Sequence, residues 1–164
     1  YKRQVLDRAG SEVLARADEL GDLLAREEGK TLIEARGEVV RAGQILKYFA
    51  GVALQPHGHA VDSVRPGVEV SVTREPLGVV SVITPWNFPI AIPAWKIAPA
   101  LAFGNTVVFK PAELVPGSAY ELVAILHRAG VPAAALNLVL GRGSVIGSVL
   151  TTDSRVNGVT SLVR

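Results

Sequence analysis

The sequence predicts an α/β fold: part of a doubly wound parallel sheet, preceded by two long helices and a β-hairpin. Three observations carry this. Short β-branched runs, Val79-Val80-Ser81-Val82-Ile83 and Thr106-Val107-Val108-Phe109, stop abruptly at polar tips containing proline, which is the pattern of strands buried on both faces. Ile90 to Leu101, between them, is long enough for one crossover helix. The alternation continues through Leu136 to Leu140 and Val156 to Thr160, giving β-α-β-α-β-α-β. That order specifies parallel strands with crossovers of one hand.

Residues 1–55 read as a helical pair. Val5, Leu6, Ala9, Val13, Ala17, Leu20, Leu23 and Leu24 recur at helical spacing, and Gly29 stands where a C′ glycine ends a helix. Thr31-x-x-Glu34 is a capping box, followed by the apolar stripe Ala35, Val39, Ala42, Ile45, Leu46 and Phe49. The connection is short, so the two helices run antiparallel. Residues 56–75 read as loop and hairpin, with Val61 to Val64 and Val68 to Thr73 alternating around Arg65-Pro66-Gly67. A lone hairpin is marginal in water, so it must lie on something, and another subunit is the candidate.

Residues 76–164 hold the sheet. Ser118-x-x-Glu121 reads as a second capping box, opening a helix through Leu122, Ile125, Leu126 and Ala129 that Gly130 and Pro132 stop. Gly141-Arg142-Gly143-Ser144-Val145-Ile146-Gly147 turns the third strand of the sheet into the next helix.

Composition narrows the function classes. With 164 residues, 49% of them hydrophobic, the chain can build a core and is not disordered. Its 17 basic and 15 acidic residues are scattered and leave a net charge of +2, so no nucleic-acid footprint is present. The absence of cysteine removes disulfides, thiolate metal sites and a cysteine nucleophile. His57 and His59 share a loop without a carboxylate or cysteine cluster, and no metal site is expected. The oiliest segment, Phe88 to Phe103, is too short to span a bilayer and holds Lys96 and three prolines. With no signal-peptide pattern at the start, the expectation is a cytoplasmic protein with no membrane partner.

The chemistry-bearing residues gather at the carboxyl ends of the strands, the edge where open α/β sheets bind ligands. Asn87 offers an uncharged amide donor for a developing oxyanion, or a cap for the helix that follows. On spacing alone the cap is the stronger reading. Trp86 reads as a core aromatic or as a wall beside a ligand. Lys96 could snorkel to solvent from an apolar helix. Lys110 and Glu113, three apart after a strand, suit a ribose diol as ammonium donor and carboxylate acceptor, or form a surface ion pair of little worth. Gly141, Gly143 and Gly147 have one residue more than the dinucleotide fingerprint, and a tight turn accounts for them alone.

Pro85-Trp86-Asn87-Phe88-Pro89, the run from Trp95 to Asn105, and Phe109-Lys110-Pro111-Ala112-Glu113 together resemble the cofactor domain of the NAD(P)-dependent aldehyde dehydrogenase superfamily. The resemblance runs from Lys2 to Thr160 and is nearest to bacterial members that oxidise semialdehydes such as α-ketoglutaric semialdehyde. It implies a Rossmann-like sheet and assigns Asn87 to the oxyanion of a thiohemiacetal, reversing the reading from spacing. It places Ile83, Thr84, Pro85, Trp86, Asn87 and Lys110, Pro111, Ala112 and Glu113 against the cofactor, and Lys96 in ordering the active site. It puts Gly141, Gly143 and Gly147 on the adenine side. NAD is expected, with NADP possible, since a carboxylate at 113 repels a 2′-phosphate. The hairpin is expected to join an oligomerisation sheet, giving a homo-oligomer, dimer or tetramer, that acts on a small-molecule aldehyde.

The chain departs from the family after Val156-Asn157-Gly158-Val159-Thr160, where Ser161-Leu162-Val163-Arg164 stands in place of Phe-Thr-Gly-Ser. The general-base glutamate, the nucleophilic cysteine and the catalytic domain are not among these residues. Without a thiolate no thiohemiacetal forms, so the expectation is an inactive portion of an active parent enzyme. The alternative is a non-catalytic pseudoenzyme or interaction module that associates with a full-length relative.

Overall fold

In the computed structural model, which describes residues 1–162, the amino-terminal layer contains three helices: α1 (Lys2–Ala15), α2 (Ala17–Glu28) and α3 (Leu32–Val52). The single first helix expected from the apolar stripe is broken at Arg16, whose backbone leaves the helical region. No glycine or proline marks the break. Arg16 instead ties α1 to α2 and to the sheet domain, donating to Glu19 at 2.9 Å and to Glu121 at 3.0 Å. Gly29 adopts a left-handed φ of 85° and ends α2 as expected. Thr31 and Glu34 form the full capping box of α3.

A two-stranded antiparallel ribbon follows, β1 (His59–Asp62) with β2 (Glu69–Val72), paired from His59↔Val72 to Asp62↔Glu69. The ribbon starts two residues before Val61. All its residues are exposed, valines included.

The main sheet is parallel, in the order β5-β4-β3-β6, from β3 (Val79–Ile83), β4 (Thr106–Lys110), β5 (Leu136–Leu138) and β6 (Gly158–Ser161). Its connections are α4 (Ala91–Ala102), α5 (Pro116–Ala129) and α6 (Gly143–Thr152). Register runs Val79↔Thr106 to Ile83↔Lys110, and Val80↔Gly158 to Ile83↔Ser161. The winding therefore grows from β3 toward β5 and then reverses to place β6 on the other side of β3. That reversal is the switch point where such sheets bind ligands. Val163 and Arg164, the end of the departure from Phe-Thr-Gly-Ser, lie outside the described residues.

The core joins the two layers. Leu6, Val13, Leu24 and Leu46 from the helices and Val82, Phe109, Ile97, Leu122 and Leu126 from the sheet and its crossovers belong to one buried cluster. Helices α1 and α2 pack on α3 and α5, and α3 packs on α4.

The expected Ser118 capping box is absent. Pro116 starts α5 one turn earlier, and the Ser118 hydroxyl is buried without a hydrogen-bond partner. The cap comes from Glu27 of α2, whose carboxylate accepts from the backbone N–H of Gly117 (2.6 Å) and Ser118 (2.8 Å). A long-range carboxylate does what a local serine does at other helix starts. Glu121 is turned to Arg16 instead.

Candidate active site at the carboxyl edge of the sheet

The tips of β3, β4 and β6 are level. Thr84 N–H donates to the Lys110 carbonyl at 3.2 Å, and Leu162 N–H donates to the Ile83 carbonyl at 3.3 Å. Above them lies a cavity of about 250 Å³ lined by Ile83, Thr84, Pro85, Trp86, Lys110, Ala112, Glu113 and Gly143. The structure thus brings together most of the residues assigned to the cofactor. Lys110 is buried, and among the described residues its ammonium donates to the Pro111 carbonyl, at 3.0 Å. Glu113 is exposed. Among the described residues the two do not pair, which goes against the surface ion-pair reading.

These features suit part of a dinucleotide. The further N–H groups of the Lys110 ammonium and the exposed Glu113 carboxylate can offer a donor and an acceptor to one sugar. The Thr84 hydroxyl is buried without a partner. A Cβ built on Gly143 meets nothing within 4 Å, so the start of α6 is open on the cavity side. The volume is below the roughly 300 Å³ at which pockets for whole drug-sized ligands begin, so the cavity has room for only part of a dinucleotide. Gly141 and Gly147 do not line it, and a Cβ on Gly147 also meets open space.

A second, larger cavity of about 670 Å³ opens on the other side of the 84–90 turn, lined by Lys30, Glu38, Arg41, Asn87, Phe88, Ile92 and Trp95 among others. The turn is a partition: Thr84, Pro85 and Trp86 face the small cavity, and Asn87 and Phe88 face the large one. Trp86 is half exposed, which removes its reading as a core aromatic. Asn87 does not cap α4. Its Oδ1 atom is buried without a hydrogen-bond partner, and the first N–H groups at the start of α4 are taken by Glu38, whose Oε1 accepts from Ile90 (2.9 Å) and Ala91 (3.1 Å). Asn87 is thereby left out of the helix cap, with its side chain at the wall of the large cavity.

Beneath the turn, the Lys30 ammonium donates to Glu38 Oε2 at 2.6 Å and to the Asn87 carbonyl at 3.0 Å. It also pairs with Glu28 at 2.9 Å and sits 4.6 Å from the centre of the Phe88 ring. Burial opposes the charge on Lys30, but hydrogen bonds to Glu38 and Glu28 outweigh it and hold the ammonium above the usual lysine range. Burial raises the Glu28 carboxyl, and Lys30 only partly offsets this. Sequence reading missed Lys30, Glu28 and Glu38. One signal was present: Glu38 stands three residues after Ala35 and four before Ala42, on the apolar stripe, where a charge needs a partner.

Lys96 is brought to neither cavity. Its ammonium donates to the Thr160 hydroxyl at 2.8 Å, beside a shallow depression that includes Val80, Trp95 and Pro99. Among the described residues, no group of three or more His, Cys, Asp or Glu is placed to hold a metal, and no helix is long and apolar enough to cross a membrane.

The model of the aldehyde dehydrogenase family matches residues 1–162. The chain belongs to this family. It is 48% identical over 145 residues to the α-ketoglutaric semialdehyde dehydrogenase of Bacillus subtilis, covering 88% of this chain and 30% of that enzyme. It is 42% identical over 156 residues to the 2,5-dioxopentanoate dehydrogenase of Saccharolobus solfataricus, covering 95% of this chain and 33% of that enzyme. The fold matches betaine aldehyde dehydrogenase of Staphylococcus aureus, solved in complex with NAD+, with a TM-score of 0.94 at 34% identity, over 98% of this chain and 32% of that one. The chain thus spans about a third of the length of the aldehyde dehydrogenases it matches, and it corresponds to the amino-terminal portion of their fold.

Proposed function

We propose that these residues are the cofactor-binding part of an enzyme that oxidises an aldehyde, in particular a semialdehyde, to the carboxylic acid with NAD. The observation that carries this is the partition: an asparagine side chain that caps no helix on one side of a turn, and a lysine and a glutamate suited to a ribose on the other. Substrate and cofactor would approach the same turn from opposite sides. The identities with α-ketoglutaric semialdehyde and 2,5-dioxopentanoate dehydrogenases support the substrate class.

In this reading a cysteine thiolate from elsewhere in the enzyme adds to the aldehyde carbon, and the carbonyl oxygen becomes an anion. Asn87 Nδ2 donates to that oxygen, and a neutral donor of this kind contributes about 10²–10³ to kcat. NAD, when bound, supplies the hydride acceptor. Lys110 and Glu113 orient its ribose, while Thr84, Pro85 and Trp86 wall the reacting end. The free Glu113 carboxylate disfavours a 2′-phosphate and so selects NAD over NADP. Lys96 supports β6 through Thr160 rather than touching the reacting atoms. The exposed valines of the β1–β2 ribbon fit an oligomer in which another subunit covers them, and a cytoplasmic setting fits the whole. The family match favours the enzyme over the interaction-module alternative.

The test is reduction of NAD by the full-length enzyme with a panel of aldehydes. Turnover with carboxylate-bearing semialdehydes above betaine aldehyde supports the reading. Failure to oxidise any aldehyde refutes it.

A further inference from the structure

We infer that Lys30 and Glu38 are positioning residues for Asn87, a buried ion pair that clamps the turn carrying the oxyanion donor at its middle and at its end. This rests on the functional reading above. The pair holds the turn at two points. At its middle, the Lys30 ammonium takes the Asn87 carbonyl at 3.0 Å. At its end, Glu38 Oε1 takes the N–H groups of Ile90 and Ala91, the start of α4. The two halves are joined at 2.6 Å between Nζ and Oε2. Glu38 is 5% exposed, so its bonds to Ile90 and Ala91 are sheltered from bulk water.

The arrangement answers a problem set by the turn. Thr84 to Ile90 contains Pro85 and Pro89, which donate no backbone hydrogen bonds, and no side chain of the turn caps α4. A donor aimed at a charge that develops only during reaction must be held before the reaction starts. The helical layer supplies that rigidity from positions 52 and 57 residues away in sequence. A buried pair is weak grounds for stability in itself, since desolvation offsets attraction. Its use here is to fix one conformation of the Asn87 backbone. The amino-terminal helices thereby become part of the catalytic apparatus without touching substrate.

The experiment is a double-mutant cycle in the full-length enzyme, with kcat, the KM for NAD and amide exchange read together. Lys30→Met is expected to lower kcat about tenfold in the Asn87 enzyme but less than twofold in an Asn87→Ala background, because its effect passes through Asn87. KM for NAD stays within about twofold in both, since the clamp faces the other cavity. Lys30→Arg retains the cation and restores part of kcat. Glu38→Gln keeps an acceptor for Ile90 and Ala91 but weakens the hold on Lys30, and its kcat falls with a smaller loss of thermal stability than Glu38→Ala. Equal losses in both Asn87 backgrounds, or an unchanged kcat in Lys30→Met, overturn the proposal. Should Lys30→Met not fold, the Glu38→Gln cycle against Asn87→Ala decides in the same way. An enzyme that oxidises no aldehyde refutes the functional reading alone. Exchange at Ile90 and Ala91 then still decides whether the clamp exists, for it must accelerate in Glu38→Gln or Lys30→Met relative to wild type.

Discussion

Replacement of Glu27 by alanine removes both acceptors for the first N–H groups of α5, at Gly117 and Ser118. Loss of an N-cap costs about 0.5–2 kcal/mol, and removing a negative charge from a helix N-terminus adds about 0.3–1 kcal/mol. Both donors are half buried, so water replaces the carboxylate only in part and the sum falls near 2 kcal/mol. For a domain of this size that lowers Tm by about 4–8 °C. Ser118→Ala provides the contrast, because the Ser118 hydroxyl is buried and unpartnered and its removal is neutral or slightly stabilising. Denaturant and thermal unfolding of the three proteins measure both changes. Glu27→Ala within 0.5 kcal/mol of wild type, together with a loss of about 1 kcal/mol in Ser118→Ala, would restore the local capping box and refute the assignment.

Other consequences follow from the same geometry. Gly78 has a left-handed φ of 118°, and a Cβ there would strike the Asn157 side chain; Gly78→Ala should therefore cost more than about 2 kcal/mol in an unfolding titration. The Lys30 ammonium is raised by its carboxylate partners, so its contribution to stability is complete below the unfolded lysine pKa and lost as pH rises through the higher folded value. Lys30→Met should flatten the alkaline limb of a plot of stability against pH. Glu113→Gln removes the charge facing a 2′-phosphate and should shift the ratio of kcat/KM values about tenfold toward NADP, with Tm unchanged because Glu113 is exposed.

Features determined by neighbouring residues were legible in the sequence. The Thr31–Glu34 box, the Gly29 terminus, the hairpin and the strands of the sheet depend on short-range pattern, and all are present. The strand-end clustering of Ile83 to Trp86 with Lys110 to Glu113 followed from the rule that parallel strands share one carboxyl edge, and one cavity collects all of these residues except Pro111. Features made by distant partners were not legible. Glu27 caps a helix 90 residues away, and Glu38 displaces Asn87 from the capping role that spacing favoured. Arg16 interrupts a continuous helical pattern with no breaker residue, through bonds to Glu19 and to Glu121 of α5. In each case a charged side chain meets backbone or charge across the layer interface, and no local periodicity encodes such a meeting. Lys96 shows the reverse: the resemblance places it in ordering the active site, while the structure turns it to Thr160.

The central claim of the proposed function is that Asn87 donates from Nδ2 to the oxygen of an aldehyde undergoing oxidation. The direct measurement is kcat of the full-length enzyme with Asn87→Ala beside wild type, at saturating NAD and semialdehyde. The account predicts a fall of about 10²-fold or more with the KM for NAD nearly unchanged. An Asn87→Ala enzyme that folds and turns over within about threefold of wild type would contradict it.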